Sequence, residues 1–130
     1  MIVRLDADTL VPPDLLARVA ARFAAEPDLV ALTGTGRFYG VPRWRAAVHG
    51  RLYLAAFHGA MLAALARPPL WGSAMAVRRD AWVAARPLVH TAEDVHDDVD
   101  LALALGAGAR VVRDRRLRVL VSGRSLVGAA

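Results

Sequence analysis

The chain has 130 residues, which is enough for one domain with a packed core and too few for two. Hydrophobic residues make up 56% of it, so the composition excludes a disordered chain. Cysteine is absent, which excludes disulfides, thiolate metal sites and a cysteine nucleophile, and which fits a cytoplasmic protein. All 17 basic residues are arginine, and the net charge is +5.

This positive charge would attract phosphates or an anionic membrane surface. The arginines are scattered, apart from those at 110–118, and lack the aromatic interleaving of a single-strand binder, so nucleic acid is not expected as a partner. The longest apolar stretch, residues 52–66, falls short of a bilayer span. We expect a core helix there, while peripheral contact with the inner face of the membrane stays open.

In chain order, the hydrophobic pattern first predicts a strand at 1–5, a helix opened by Pro12-Pro13 and running to about residue 25, and a strand at 29–35. A long helix at 42–66 follows, either continuous or broken near Gly50 or Gly59. The remaining predictions are a strand at 74–78, a helix at 80–85, a helix at 99–105, and two final strands at 110–113 and 117–121. This alternation predicts an α/β fold with a largely parallel or mixed sheet.

Asp6 and Asp8 follow the first predicted strand in the sequence Asp-Ala-Asp-Thr. Ligands of open α/β sheets bind at the carboxyl ends of strands, and strand residues i and i+2 share a side. Two carboxylates held together repel unless a cation lies between them, and hard oxygen ligands suit Mg²⁺ or Mn²⁺. The alternative is a plain turn that ends the strand and caps the next helix.

A second acidic cluster spans residues 90–101. Its acids fit either the first turn of a helix, where they complement the macrodipole, or a solvated loop. A transition-metal site built on His90, Glu93 and His96 is a further reading, although the spacing is not that of a zinc helix. A carboxylate at the helix start would also suit a general base that accepts a proton from a substrate hydroxyl.

Three segments taken together resemble the second half of family-2 glycosyltransferases with a GT-A fold. They are Asp-Ala-Asp-Thr, then Trp-Gly-Ser-Ala-Met-Ala-Val-Arg-Arg-Asp, then Asp-Asp-Val-Asp-Leu followed by an apolar helix. The resemblance covers residues 2–124. It implies a partial GT-A fold, with a mixed sheet and flanking helices, and transfer of a sugar with inversion from a nucleotide-sugar donor to an acceptor hydroxyl. The implied cofactor is Mn²⁺ or Mg²⁺.

The resemblance also assigns roles by position. Asp6 and Asp8 match the metal-binding aspartates, with Asp8 as the more direct ligand, and Gly72 and Ser73 match the loop on the acceptor side. The catalytic base would be Asp98.

Other positions depart from the family's usual pattern. Asp97 precedes the base where the family usually has Glu. Arg124 either binds a diphosphate or is an ordinary surface arginine. The competing pair Glu93-Asp94 lacks the Asp-Leu and the apolar helix that follow Asp98. The Gln-x-x-Arg-Trp sequence of processive members is missing, which argues against polymerisation.

In this resemblance, residues 1–124 form the metal and acceptor half of a domain, and residues 125–130 form a tail. The family's nucleoside-binding half has no counterpart here. We therefore expect the chain to have little activity without such a half, supplied by a partner, and to self-associate through an open sheet edge.

Two other functions compete with this one. A non-catalytic fragment or interaction module would keep the same motifs without activity. A haloacid-dehalogenase-like phosphatase also begins with Asp-x-Asp, but its motif continues Gly-Thr-Leu, whereas Thr9 directly follows Asp8 here. That family also uses a lysine between its motifs, and this sequence has none.

Overall fold

The computed structural model describes residues 1–90, 92 and 95–126. The described chain forms four strands and four helices, which alternate except that the last two helices follow each other. In order they are β1 (Ile2–Arg4), α1 (Leu15–Ala25), β2 (Ala31–Tyr39), α2 (Arg43–Leu65), β3 (Met75–Val77), α3 (Arg79–Ala85), α4 (Asp97–Ala104) and β4 (Val111–Ser122). Short 3₁₀ turns occupy Arg86–Leu88 and Gly123–Leu126.

The strands form one mixed sheet in the order β1-β3-β2-β4. β3 runs antiparallel to both of its neighbours, while β2 and β4 are parallel. Within the described residues, β1 lies at one edge of this sheet. The predicted α/β class with a mixed sheet is therefore confirmed.

Helices cover both faces of the sheet because successive strand residues point to opposite sides. On β2, Leu32 is fully buried in a core shared with α1, whose inward residues are Leu15, Val19 and Phe23. Its neighbour Ala31 belongs to the opposite core, which includes Leu101 of α4. This alternation places α1 and α4 on opposite faces of the sheet.

The long helix α2 is continuous, so the alternative of two shorter helices is wrong. Gly50 lies against the ring of Phe38, where an added Cβ would be 2.6 Å from the nearest ring carbon. Gly59 faces open space, with nothing within 4 Å of an added Cβ. No described helix is both long enough and apolar enough to cross a bilayer.

The last strand differs from the prediction of two separate strands. β4 is one strand, but its register against β2 shifts: Thr33 pairs with Arg113 and Thr35 pairs with Arg118. The residues of β4 between Arg113 and Arg118 lie beside Gly34 and interrupt the regular pairing of the two strands. An added Cβ at Gly34 would be 2.6 Å from the carbonyl oxygen of Leu117, so only glycine allows this close approach.

Two helices begin two or more residues away from the predicted positions. α1 begins at Leu15, and Pro12 and Pro13 lie before the helix. The Leu15 N–H donates to the Pro12 carbonyl at 3.1 Å. α4 begins at Asp97, two residues before the predicted start at Val99. The earlier start places the acids of α4 in its first turn, where the helix dipole favours negative charge.

Candidate active site

Asp6 and Asp8 lie in a turn that follows β1. The Thr9 N–H donates to the Asp6 carbonyl at 3.0 Å, and the residues after Arg4 are outside the strand. The segment is therefore a turn, as one interpretation of the sequence had it, but it does not cap the next helix, because the N-cap of α1 is Asp14. Strand periodicity does not decide where the two carboxylates point, and each is held by a different part of the chain.

Asp6 and Asp98 are both held by the loop that precedes β3. The Ser73 hydroxyl donates to the Asp6 carboxylate at 2.5 Å, and the Gly72 N–H donates to the Asp98 carboxylate at 3.1 Å. Because Gly72 and Ser73 are consecutive, one loop positions acids from two distant segments. Ser73 itself is buried, so its hydroxyl is fixed toward Asp6.

These four residues line a single open cleft with a volume of about 530 Å³. One part of its wall is acidic and carries the carboxylates of Asp6, Asp97 and Asp98. The other part is aromatic and apolar, formed by Tyr53, Phe57, Met61 and Trp71. A hydroxyl group entering the cleft would meet carboxylates on one side and ring surfaces on the other.

Asp8 is held differently from Asp6. Its carboxylate accepts from the Arg124 guanidinium at 2.5 Å, and its carbonyl oxygen accepts from the Tyr39 hydroxyl at 2.8 Å. The side chain of Arg124 is 81% exposed, and such exposed pairs contribute at most about 1 kcal/mol. Asp8 is not among the residues that line the cleft, so it lies next to the acidic wall rather than in it.

The start of α4 orients Asp98 and Asp97. One oxygen of Asp98 accepts from the Val99 N–H at 2.9 Å, in addition to the bond from Gly72. Asp97 forms an ion pair of 2.6 Å with Arg4, a cleft residue from β1. These contacts hold the acid doublet near the end of β1.

Asp100 has a structural role in the same helix turn. It is buried and accepts two hydrogen bonds of 2.7 Å from His90, one from the ring and one from the backbone N–H. The ring bond, followed by the backbone bond, lowers the pKa of Asp100 below its ordinary value. An ionised Asp100 therefore anchors the end of the segment that leads into α4.

The hydrogen bond between His90 and Asp100 also concerns the hypothesis of a transition-metal site built on His90, Glu93 and His96. The ring nitrogen of His90 that contacts Asp100 is occupied, and Glu93 and Asp94 lie outside the described residues. Across the part of the chain that the structure describes, no three His, Cys, Asp or Glu side chains are grouped closely enough to hold a metal ion.

Several cleft residues were not found from the sequence. Arg4 precedes Asp6 by two positions, which is a weak signal that both side chains face one side. Tyr53, Phe57 and Met61 recur every four residues, so they share one face of α2. The sequence showed that stripe only as helix core, because nothing in it indicated that the stripe meets a cleft.

The comparisons with known proteins identify the family of the chain. The family model described as glycosyl transferase family group 2 matches residues 1–123. No curated protein matches the chain. The mixed sheet with helices on both faces fits a partial GT-A fold, and the match favours glycosyl transfer over the phosphatase alternative.

Proposed function

This chain belongs to the family-2 glycosyltransferases, and we propose that it transfers a sugar, with inversion, from a nucleotide-sugar donor to an acceptor hydroxyl. One observation carries the proposal. Gly72 and Ser73, consecutive in the chain, bind Asp98 and Asp6 and so bring two acids from distant segments to one cleft.

We assign the general base to Asp98. A carboxylate accepts a proton from a hydroxyl only if it lies within hydrogen-bond reach and keeps its orientation. The N–H groups of Gly72 and Val99 each donate to one oxygen of Asp98, which fixes the plane of the carboxylate at the cleft wall. Removal of the proton makes the acceptor oxygen a competent nucleophile.

The chemistry of Asp6 and Asp8 fits a divalent cation. Carboxylate oxygens are the ligands that Mg²⁺ and Mn²⁺ prefer, and Mg²⁺ is usually held by one or two carboxylates together with substrate phosphates. We propose that Asp6 and Asp8 would hold Mn²⁺ or Mg²⁺. Such an ion would stabilise the charge that develops on the leaving diphosphate.

The ion pair of Arg124 with Asp8 supports a role for Arg124 at the donor's diphosphate. Its guanidinium contacts Asp8 in an exposed ion pair, so exchange of this partner for a phosphate costs little. Guanidinium groups bind phosphate through paired hydrogen bonds. We propose that Arg124 binds the donor's diphosphate.

The proposed roles of the acids support inversion. A single base that activates the acceptor on the face opposite the leaving group gives one displacement, and therefore inverts the anomeric carbon. In the proposed arrangement, Asp98 serves the acceptor while Asp6 and Asp8 serve the leaving group. No covalent sugar–enzyme intermediate is then required.

Substitution of the base tests the mechanism. With a nucleotide-sugar donor, Mn²⁺ and an acceptor, Asp98→Asn should lower the transfer rate by about 10²- to 10⁴-fold while leaving donor affinity unchanged. Asp80→Asn changes an exposed carboxylate at the start of α3. It is the matched control and should behave like the wild type. NMR of the product gives the anomeric configuration. Unchanged turnover in Asp98→Asn, or retention of configuration, would contradict the proposal.

Binding provides a second readout that does not require turnover. The resemblance matches no residue of this sequence to nucleoside binding, so we propose that the 130-residue chain by itself binds UDP- or GDP-sugars weakly and turns over slowly. Calorimetric titration with Mn²⁺ present measures the affinity. The residual binding should disappear in Asp6→Asn, whereas tight binding by the wild-type chain would show that this expectation is wrong.

A further inference from the structure

We propose that Tyr53 and Phe57, on the side of α2 that lines the cleft, form the platform that binds the acceptor, and that the acceptor is neutral with an apolar face beside its reacting hydroxyl. Met61 extends this platform by one further turn. The proposal deepens the proposed transfer reaction and rests on it.

The platform is built from rings that support one another. The Tyr53 and Phe57 rings stack with centroids 6.5 Å apart and planes 14° apart, as expected for residues one helical turn apart. Phe38 of β2 meets Tyr53 edge-on, with centroids 6.2 Å apart. Both ring contacts hold Tyr53 in one orientation before any ligand arrives.

Tyr53 combines this support with exposure to solvent. It is 50% exposed, although its ring contacts two other rings and lines the cleft. A partly exposed aromatic ring that is already ordered loses little side-chain freedom when it is covered, which favours binding of an apolar surface. Phe57, by contrast, is partly buried against the core and forms the floor of the platform.

The platform lies in the same cleft as the base, Asp98. Two of the three residues proposed to bind the cation or the diphosphate, Asp8 and Arg124, do not line that cleft. Trp71, the buried ring in the same cleft, directly precedes Gly72, whose N–H binds Asp98. Asp6, a residue of the proposed cation site, lines the cleft together with Asp98. A group that rests on Tyr53 and Phe57 would therefore lie in the space where the acceptor hydroxyl meets the base.

The charges of the cleft select against an anionic acceptor. Its lining carries the carboxylates of Asp6, Asp97 and Asp98, and on the basic side the exposed His96 and Arg4, which is already paired with Asp97. A phosphate or carboxylate on the acceptor would meet repulsion there. A neutral polyol with an apolar face avoids this repulsion, and that face is either the C–H side of a sugar ring or an aromatic or alkyl group attached to the sugar.

Equilibrium binding to the 130-residue chain tests the platform without turnover. The probes are methyl β-glucoside, p-nitrophenyl β-glucoside and glucose 1-phosphate, measured by saturation-transfer NMR and calorimetry. Both neutral glycosides should bind more tightly than the phosphate. Tyr53→Ala should weaken neutral glycoside binding roughly three- to tenfold, and Tyr53→Phe should restore it, because the ring makes the contact.

Leu62→Ala is the matched control, since Leu62 lies on the same helix, is equally exposed at 50% and does not line the cleft. Its glycoside affinity should equal that of the wild type. Phe57→Leu, which keeps apolar bulk in the core, gives an independent second variant and should also weaken binding. Circular dichroism establishes that each variant is folded.

Each outcome has a defined meaning. Ring-dependent binding of methyl glucoside identifies the sugar face as the contact, and ring-dependent binding of the p-nitrophenyl compound alone identifies the attached group; both support the platform. Equal affinities in wild type and Tyr53→Ala, preference for glucose 1-phosphate, or no glycoside binding by the wild type would overturn it. Asp98→Asn should lose transfer yet keep glycoside binding, so failure of the base assignment is distinguishable from failure of the platform.

Discussion

Ser73 donates a hydrogen bond of 2.5 Å to Asp6, joining two residues that lie 67 positions apart in the chain. Ser73 is buried and directly follows Gly72, which binds Asp98. The loop before β3 therefore acts as a bridge between the turn after β1 and the start of α4. Loss of the Ser73 hydroxyl would leave the Asp6 carboxylate without this partner at the cleft wall.

We predict that Ser73→Ala destabilises the fold by about 1–3 kcal/mol, because a partly buried carboxylate loses its hydrogen bond. Urea unfolding at pH 7 measures the change. A double-mutant cycle with Asp6→Ala should give a coupling free energy above about 0.5 kcal/mol, as expected for residues in direct contact. Ser122→Ala, which removes only a long 3.4 Å contact with the Arg124 backbone, is the control. Additive effects of Ser73 and Asp6 would contradict the bridge.

Arg124 should influence metal and nucleotide binding in opposite directions. Its guanidinium neutralises Asp8, so Arg124→Met should raise the affinity for Mn²⁺ alone severalfold. The same variant should weaken the affinity for UDP in the presence of Mn²⁺, because a phosphate contact is lost. Arg18→Met removes a similar exposed ion pair, with Asp14, away from the site and should change neither affinity. Changes of the same sign in both titrations would argue against the assigned role.

Two glycines of α2 separate helix propensity from packing. Gly59→Ala should stabilise the fold by up to about 1 kcal/mol, because the added Cβ meets nothing and alanine favours the helix. Gly50→Ala gains the same propensity but places its Cβ 2.6 Å from the Phe38 ring. We expect it to be less stable than Gly59→Ala by about 1–3 kcal/mol. Thermal and urea unfolding of the two variants measure this difference, and equal stabilities would refute the packing argument.

His58 should make stability depend on pH. It is buried, its ring donates to the Leu54 carbonyl at 2.8 Å, and its other ring nitrogen finds no partner among the described residues. Burial, the largest cause, lowers the pKa of His58; the bond to Leu54 opposes this shift, and the charge of Arg113 adds to it. The folded state therefore resists the proton that the unfolded chain binds below about pH 6.5.

The sign follows from this difference in proton binding. The free energy of unfolding should be highest above about pH 6.5 and fall as the pH decreases toward the folded pKa, by at most about 1.4 kcal/mol per pH unit. Urea unfolding between pH 5 and 8 measures the slope. His58→Gln should flatten it, whereas His96→Gln, at an exposed position before α4, should leave it in place. An unchanged slope in His58→Gln would mean that other groups cause it.

Much of the fold could be predicted from local patterns. Periodicity predicts the strand at the amino end and the apolar stripe of Leu15, Val19 and Phe23. Pro68-Pro69 predicts that α2 ends before these two residues, and it ends at Leu65. Each pattern acts within a few turns of chain. The register shift at Gly34 could not be predicted, because it depends on the approach of the Leu117 carbonyl from a distant strand.

For the site, the sequence by itself determined the identity and order of the acids, and the resemblance that they carry. Only the tertiary structure decided that Asp6 shares a cleft with Asp98 while Asp8 pairs with Arg124. It also decided that the apolar stripe of α2 meets that cleft. Residue types and spacing are local properties, whereas a shared cavity depends on how strands from distant segments are ordered in the sheet.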